Sequence, residues 1–142
     1  MIVNKVVKQI RWSMGHRLVK DYPHKCRNAH GHEYLAEIEM ESVGLNEYGF
    51  VLDFAHIKNK VKKWIDDHLD HGFLVCEEDY DMAKFLDKQD NKYYIIKDNP
   101  TAENIAKLLQ AVCEDLLNNE NVITRSVTVW ETPNSYAKCE RK

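Results

Sequence analysis

The chain has 142 residues, 44% hydrophobic and 30% charged, with a formal net charge of −3. That length suits one domain spanning 1–142 with a core of its own, so disulfides are not required for folding. Acidic and basic residues are interspersed, which leaves no basic stripe for a nucleic acid, and no apolar run is long enough to cross a bilayer.

The elements follow from periodicity. Residues 2–13 carry apolar side chains at roughly alternate positions and are rich in Val, Ile and Trp, which predicts a strand. Gly15, Pro23, Asn28 and Gly31 mark 14–31 as an irregular loop. From His32 the alternation is strict: His32, Tyr34, Ala36, Ile38 and Met40 share one face. Glu33, Glu37, Glu39 and Glu41 line the other, broken only by Leu35, as in a half-buried strand. Gly44, Asn46 and Gly49 predict a turn, and Phe50–Phe54 a short strand. Ile57, Val61, Trp64, Ile65 and His68 fall at helical spacing within 55–69. Residues 76–92 are mostly charged, with Met82, Phe85 and Leu86 suggesting a short helix, and Tyr93–Ile96 reads as a strand. Thr101 is placed to cap a second long helix with the stripe Ile105, Leu108, Leu109, Val112 and Leu116. In the last strand, 123–131, Ile123, Val127, Val129 and Glu131 fall on one face. Antiparallel strands with two covering helices predict an α+β domain.

The four cysteines, Cys26, Cys76, Cys113 and Cys139, form no CxxC pair and read as free thiols. With no apolar leader at the N-terminus, a cytoplasmic protein is expected.

His30 and His32 sit two apart at the start of a predicted strand, so both project from one face. Imidazoles so placed can reach one zinc ion at Zn–N distances of ~2.0–2.1 Å. His16 closes the first strand, near where its hairpin partner would lie, and is the candidate third ligand. His24, His56, His68 and His71 are also available, and composition does not choose among them. Three neutral histidines would leave the fourth tetrahedral position open, the arrangement of a catalytic site. The HxH pair by itself also describes a solvent-exposed turn.

Cys26 lies four residues before His30; a fourth ligand, a buried filler and a thiolate activated by a nearby dication all fit that position. Asp70 precedes His71, and a carboxylate beside an imidazole can orient it for proton transfer, although the bare dipeptide also describes an exposed helix end. Glu131 falls on the apolar face of its strand, where an unpartnered carboxylate is costly. It requires either a structural Lys or Arg or a ligand presenting paired N–H donors, such as an aminopyrimidinone edge.

Six stretches run together in one order: GHRL (15–18), CRNAHGHEY (26–34), GFVLDFAHIK (49–58), LDHGFL (69–74), NPTAENIA (99–106) and VWETP (129–133). In these the chain resembles the 6-pyruvoyltetrahydropterin synthase family, and within it the bacterial 6-carboxytetrahydropterin synthase branch. The resemblance implies zinc on His16, His30 and His32, a catalytic Cys26, a catalytic Asp70–His71 pair, and Glu131 as anchor of a pterin ring. Thr101 and Thr132 match positions that help fix that ring. It implies a T-fold, an antiparallel four-stranded sheet with two helices packed on one face. It also implies a homo-oligomer, a hexamer, with active sites at subunit interfaces. The substrate implied is 7,8-dihydroneopterin triphosphate. The products are 6-carboxy-5,6,7,8-tetrahydropterin, acetaldehyde and triphosphate, on the route to queuosine and other 7-deazaguanines. Val75-Cys76 after LDHGFL and the longer excursion at 76–98 depart from many relatives without touching a proposed ligand. Two other readings are a 6-pyruvoyltetrahydropterin synthase, which eliminates triphosphate only, and a non-catalytic, zinc-stabilised pterin-binding oligomer. A structural metal would need neither Cys26 nor Asp70–His71, which weighs against the second.

Overall fold

The period-2 pattern of residues 32–41 places five large or apolar residues against a core and four glutamates against solvent. A computed structural model, describing residues 1–142, shows how the rest of the chain assembles on that strand. Strands β1 (Asn4–His16) and β2 (His30–Ser42) form a long antiparallel hairpin. Further strands are β3 (Gly72–Cys76), β4 (Tyr93–Ile96), β5 (Val122–Thr132) and β6 (Ser135–Glu140), giving one sheet in the order β4-β3-β1-β2-β5-β6. Helix α1 runs through Phe54–Ile57, a π-helical turn at Lys58–Lys62, and Lys63–His68; α2 is Tyr80–Lys88 and α3 is Ala102–Leu117.

The α+β class is as expected, but the sheet is six-stranded and mixed rather than antiparallel and four-stranded. β5 pairs antiparallel with β2 and β6 with β5, while β3 runs parallel to β1 and β4 parallel to β3. Parallel neighbours need a crossover connection, and the 76–98 excursion supplies one: β3, α2 and β4 make a βαβ unit. The expected strand at Phe50–Phe54 is absent. Asp53 accepts a hydrogen bond from the Ala55 amide at 2.8 Å, so α1 begins at Phe54 instead.

α1 and α3 pack on the same face of the sheet, sharing a core of 21 residues with the inward positions of β1, β2 and β5. Ile38, Ile57, Ile65 and Ile105 are fully buried there, each worth roughly 1.5–3 kcal/mol of hydrophobic stabilisation. α3 buries Ile105, Ala106, Leu109, Cys113 and Leu117, leaving Leu108, Val112 and Leu116 on its flanks. In β5 the register against β2 shifts at Glu39/Met40. This bulge puts Val122 and Thr124, not Ile123, on the buried face with Val127 and Val129. The opposite face is polar: Lys5 lies 3.6 Å from both Glu39 and Glu41, and Arg125 lies 2.6 Å from Glu41.

Candidate functional site: a histidine cluster beside a cleft

The β1–β2 register builds the cluster. His16 lies opposite His30 and Met14 opposite His32, with Gly15 opposite Gly31 between the two rungs. Alternation then sends His16, His30 and His32 to one face at the same end of the hairpin. Their ring centroids are 4.6, 5.2 and 4.9 Å apart pairwise, and one ring nitrogen from each lies within 4.8 Å of the others. Glycine at 15 is a packing requirement, since a Cβ there would stand 2.7 Å from Phe73 Cδ2 on β3.

Backbone carbonyls set the tautomers. His16 Nδ1 donates to the Pro100 carbonyl at 2.7 Å, and His30 Nδ1 to the Asn28 carbonyl at 2.7 Å. Both Nε2 atoms are therefore left as acceptors, and they face each other at 3.1 Å. His32 Nε2 is buried without a hydrogen-bond partner. Converging lone pairs and an orphaned ring nitrogen are what a cation would satisfy, so the three residues fit a divalent metal such as zinc. Burial lowers the pKa of His16, outweighing its bond to Pro100, and burial likewise lowers that of His32 against the nearby Glu131. Both favour the neutral, ligating form.

Glu131 Oε1 stands 3.2 Å from His32 Nε2, and no Lys or Arg forms an ion pair with the Glu131 carboxylate. Of the two partners its sequence position demanded, the structural cation is thus absent. Glu131, His32 and Thr132 line a cleft of about 680 Å³ together with Arg11, Leu35 and Trp130. The indole of Trp130 is fixed by donating from Nε1 to Glu37 Oε1 at 2.7 Å.

The other sequence candidates lie outside this cleft lining. Cys26 sits in a 3-10 turn, Lys25–Arg27, half-buried, with its carbonyl accepting from the Leu18 amide at 2.9 Å. Thr101 Oγ1 caps α3 by accepting from the Asn104 amide at 3.2 Å. Asp70 Oδ1 accepts from the Ser13 amide at 3.0 Å, and Oδ2 lies 3.0 Å from His71 Nδ1. Burial pushes the Asp70 carboxyl up, but the Ser13 amide and the His71 ring outweigh it and hold it below the usual range. The His71 ring is 81% exposed on a left-handed backbone (φ 61°), pinned where its amide donates to Ser13 O at 2.8 Å. The Asp70 carboxylate is therefore set in place against β1, while the His71 ring it holds is exposed.

Several supports were not apparent from sequence. Lys92 Nζ donates to the carbonyls of Asp66 and Asp70, holding the turn that carries His71. Arg17, next to His16, forks onto Asp79 at 2.7 and 2.6 Å. The Pro100 carbonyl sits within the NPTAENIA stretch, but a backbone acceptor leaves no mark in side-chain pattern.

Fold and cluster together define an α+β protein with a trihistidine site that could hold a metal, beside a carboxylate-bearing cleft. The family model described as 6-pyruvoyl tetrahydropterin synthase matches residues 5–142, and the chain belongs to that family. It is 34% identical over 136 residues to the 6-carboxy-5,6,7,8-tetrahydropterin synthase of Rickettsia conorii, covering 94% of this chain and 98% of that protein. It is also 34% identical over 143 residues to the Haemophilus influenzae protein of the same name, covering 96% of each. Among solved structures, an uncharacterized protein from Wolinella succinogenes aligns with a TM-score of 0.85 at 24% identity, covering 100% of both chains. The 6-pyruvoyl tetrahydropterin synthase of Caenorhabditis elegans aligns at 0.73 and 22% identity, covering 100% of this chain and 98% of that one.

Proposed function

We propose that this chain is a zinc-dependent 6-carboxytetrahydropterin synthase. It would convert 7,8-dihydroneopterin triphosphate and water to 6-carboxy-5,6,7,8-tetrahydropterin, acetaldehyde and triphosphate, in 7-deazaguanine synthesis. The observation that carries the reading is the adjacency of two unmet demands. Three histidines converge with an Nε2 that has no hydrogen-bond partner, and the Glu131 carboxylate beside them has no Lys or Arg partner. A pterin presents paired N–H donors to such a carboxylate and a side chain of hydroxyls to such a metal.

In this proposal His16, His30 and His32 hold the ion, and Glu131 anchors the ring edge, with Thr101 and Thr132 as further ring contacts. Bound zinc supplies Lewis acidity that makes the side-chain hydroxyls more acidic. Cys26 and His71 move protons at the side-chain carbons, and Asp70 orients and supports the His71 imidazole. Because His71 is 81% exposed and does not line its own chain's cleft, the Asp70–His71 pair serves the site of a neighbouring copy in a homo-oligomer.

The test is incubation of zinc-loaded protein with dihydroneopterin triphosphate, reading products by mass and assaying acetaldehyde. A carboxylated tetrahydropterin with equimolar acetaldehyde, abolished by Cys26→Ala, is expected. A pyruvoyl product would assign the chain to triphosphate elimination alone. Retained zinc and bound pterin without turnover would refute the catalytic roles of Cys26, Asp70 and His71.

A further inference from the structure

The thiol loop and the histidine cluster are tied to one short segment. Between His16 and Cys26 the chain runs through Lys20 and Asp21, two consecutive non-glycine residues with positive φ (62° and 60°). Left-handed backbone is disfavoured for such residues and persists only where the surroundings hold it. The hold is applied one residue earlier. Asn99 Oδ1 accepts from the Val19 amide at 2.8 Å, and Asn99 Nδ2 donates to the Val19 carbonyl at 3.1 Å. One side-chain amide thus occupies both backbone groups of Val19, as a neighbouring strand would.

Asn99 is itself fixed. Its carbonyl accepts from Asn104 Nδ2 and from the Thr101 amide, each at 2.8 Å, which locks it to the capped start of α3. The next residue, Pro100, accepts the bond from His16 Nδ1 at 2.7 Å. Beyond the left-handed pair, the loop closes where the Leu18 amide meets the Cys26 carbonyl at 2.9 Å. Adjacent residues therefore hold a ligand histidine by a backbone carbonyl and the cysteine loop by a side chain.

We infer that Asn99 is a positioning residue, which fixes the distance between the Cys26 thiol and the histidine cluster by clamping Val19. The inference rests on the function proposed above for Cys26. It separates two tasks within one segment: the Pro100 carbonyl orients the metal ligand, and the Asn99 side chain orients the thiol. Loss of the Asn99 side chain spares the first and removes the second.

Two variants test it. Asn99→Ala removes the clamp, and Asn99→Asp keeps its shape but sets a carboxylate oxygen against the Val19 carbonyl. Hydrogen exchange of the amides of residues 18–21 and the iodoacetamide labelling rate of Cys26, followed by peptide mass, read the loop without turnover. Both variants are expected to exchange and label at least about tenfold faster, with α3 amides and zinc content unchanged. Turnover is expected to fall about 10- to 100-fold in kcat with KM within about twofold, as for a misplaced but intact catalytic group. Unchanged loop exchange and labelling would overturn the inference, as would metal loss with the loop still protected. Should Asn99→Ala not fold, Asn99→Asp decides alone. If the wild type itself fails to turn over dihydroneopterin triphosphate, the functional reading falls, while exchange and labelling still decide the role of Asn99.

Discussion

Removing the Asp79 carboxylate should destabilise the fold by about 3 kcal/mol, a loss that acid abolishes. Asp79 is 6% exposed and accepts two hydrogen bonds from Arg17 at 2.6 and 2.7 Å. Breaking a fully buried pair costs ~3–5 kcal/mol, but the Arg17 side chain is 28% exposed and can recover water, so about 2 kcal/mol is expected here. Asp79 Oδ1 also caps α2 through a long 3.4 Å bond from the Met82 amide, adding about 0.5–1 kcal/mol. At ~2.1 cal/mol/K per residue over this chain length, Asp79→Ala should lower Tm by about 10 °C in calorimetry at fixed protein concentration. The hydrogen bonds from Arg17 hold the Asp79 carboxyl below the ordinary aspartate value of 3.8. A depressed carboxyl stabilises fully above its unfolded pKa, and that contribution is lost as pH falls through the folded one. The gap between wild type and Asp79→Ala should therefore be complete at neutral pH and close below pH ~4. A gap at neutral pH of less than about 3 °C, or one that ignores pH, would refute the reasoning.

Further outcomes follow from the site. His16→Ala removes the proposed ligand oriented by Pro100 and should reduce zinc affinity by more than about 100-fold, read by metal analysis after dialysis against a weak chelator. Glu131→Gln keeps the shape of the cleft but lacks the charge, so pterin affinity followed by fluorescence should fall about 10- to 100-fold with bound zinc retained. Equal affinity in that variant would mean the ring is anchored elsewhere.

The central hairpin was readable because its alternation is long. His32, Tyr34, Ala36, Ile38 and Met40 point inward as their spacing required. The third histidine of the cluster was less accessible, because His16 joins His30 only through a pairing register that neither segment encodes alone. β3 escaped notice since GFLVC is a short apolar run directly after a turn, and β6 since SYAKCE is largely exposed at an edge. The Phe50–Phe54 reading failed at one residue, Asp53, whose side chain starts a helix where apolar content suggested a strand. Ile123 was misassigned by a bulge, which shifts a strand's phase without altering its composition. The residues proposed for pterin and zinc carry distinctive side chains. Their supports act through backbone groups, as Pro100 does, or through ordinary polar residues such as Asn99 and Asp79.

The rungs His16–His30 and Met14–His32 belong to a thirteen-residue ladder that continues to Asn4 and Ser42. The three imidazoles are consequently preassembled by the longest strand pairing in the molecule, with two of them locked by carbonyls. A metal arriving there completes a finished socket, unlike the ion of a zinc finger, which must organise its own ligands. Under the function proposed above, loading and exchange of the ion would thereby be uncoupled from folding: protein without the ion would stay folded, and adding the ion alone would fill the site.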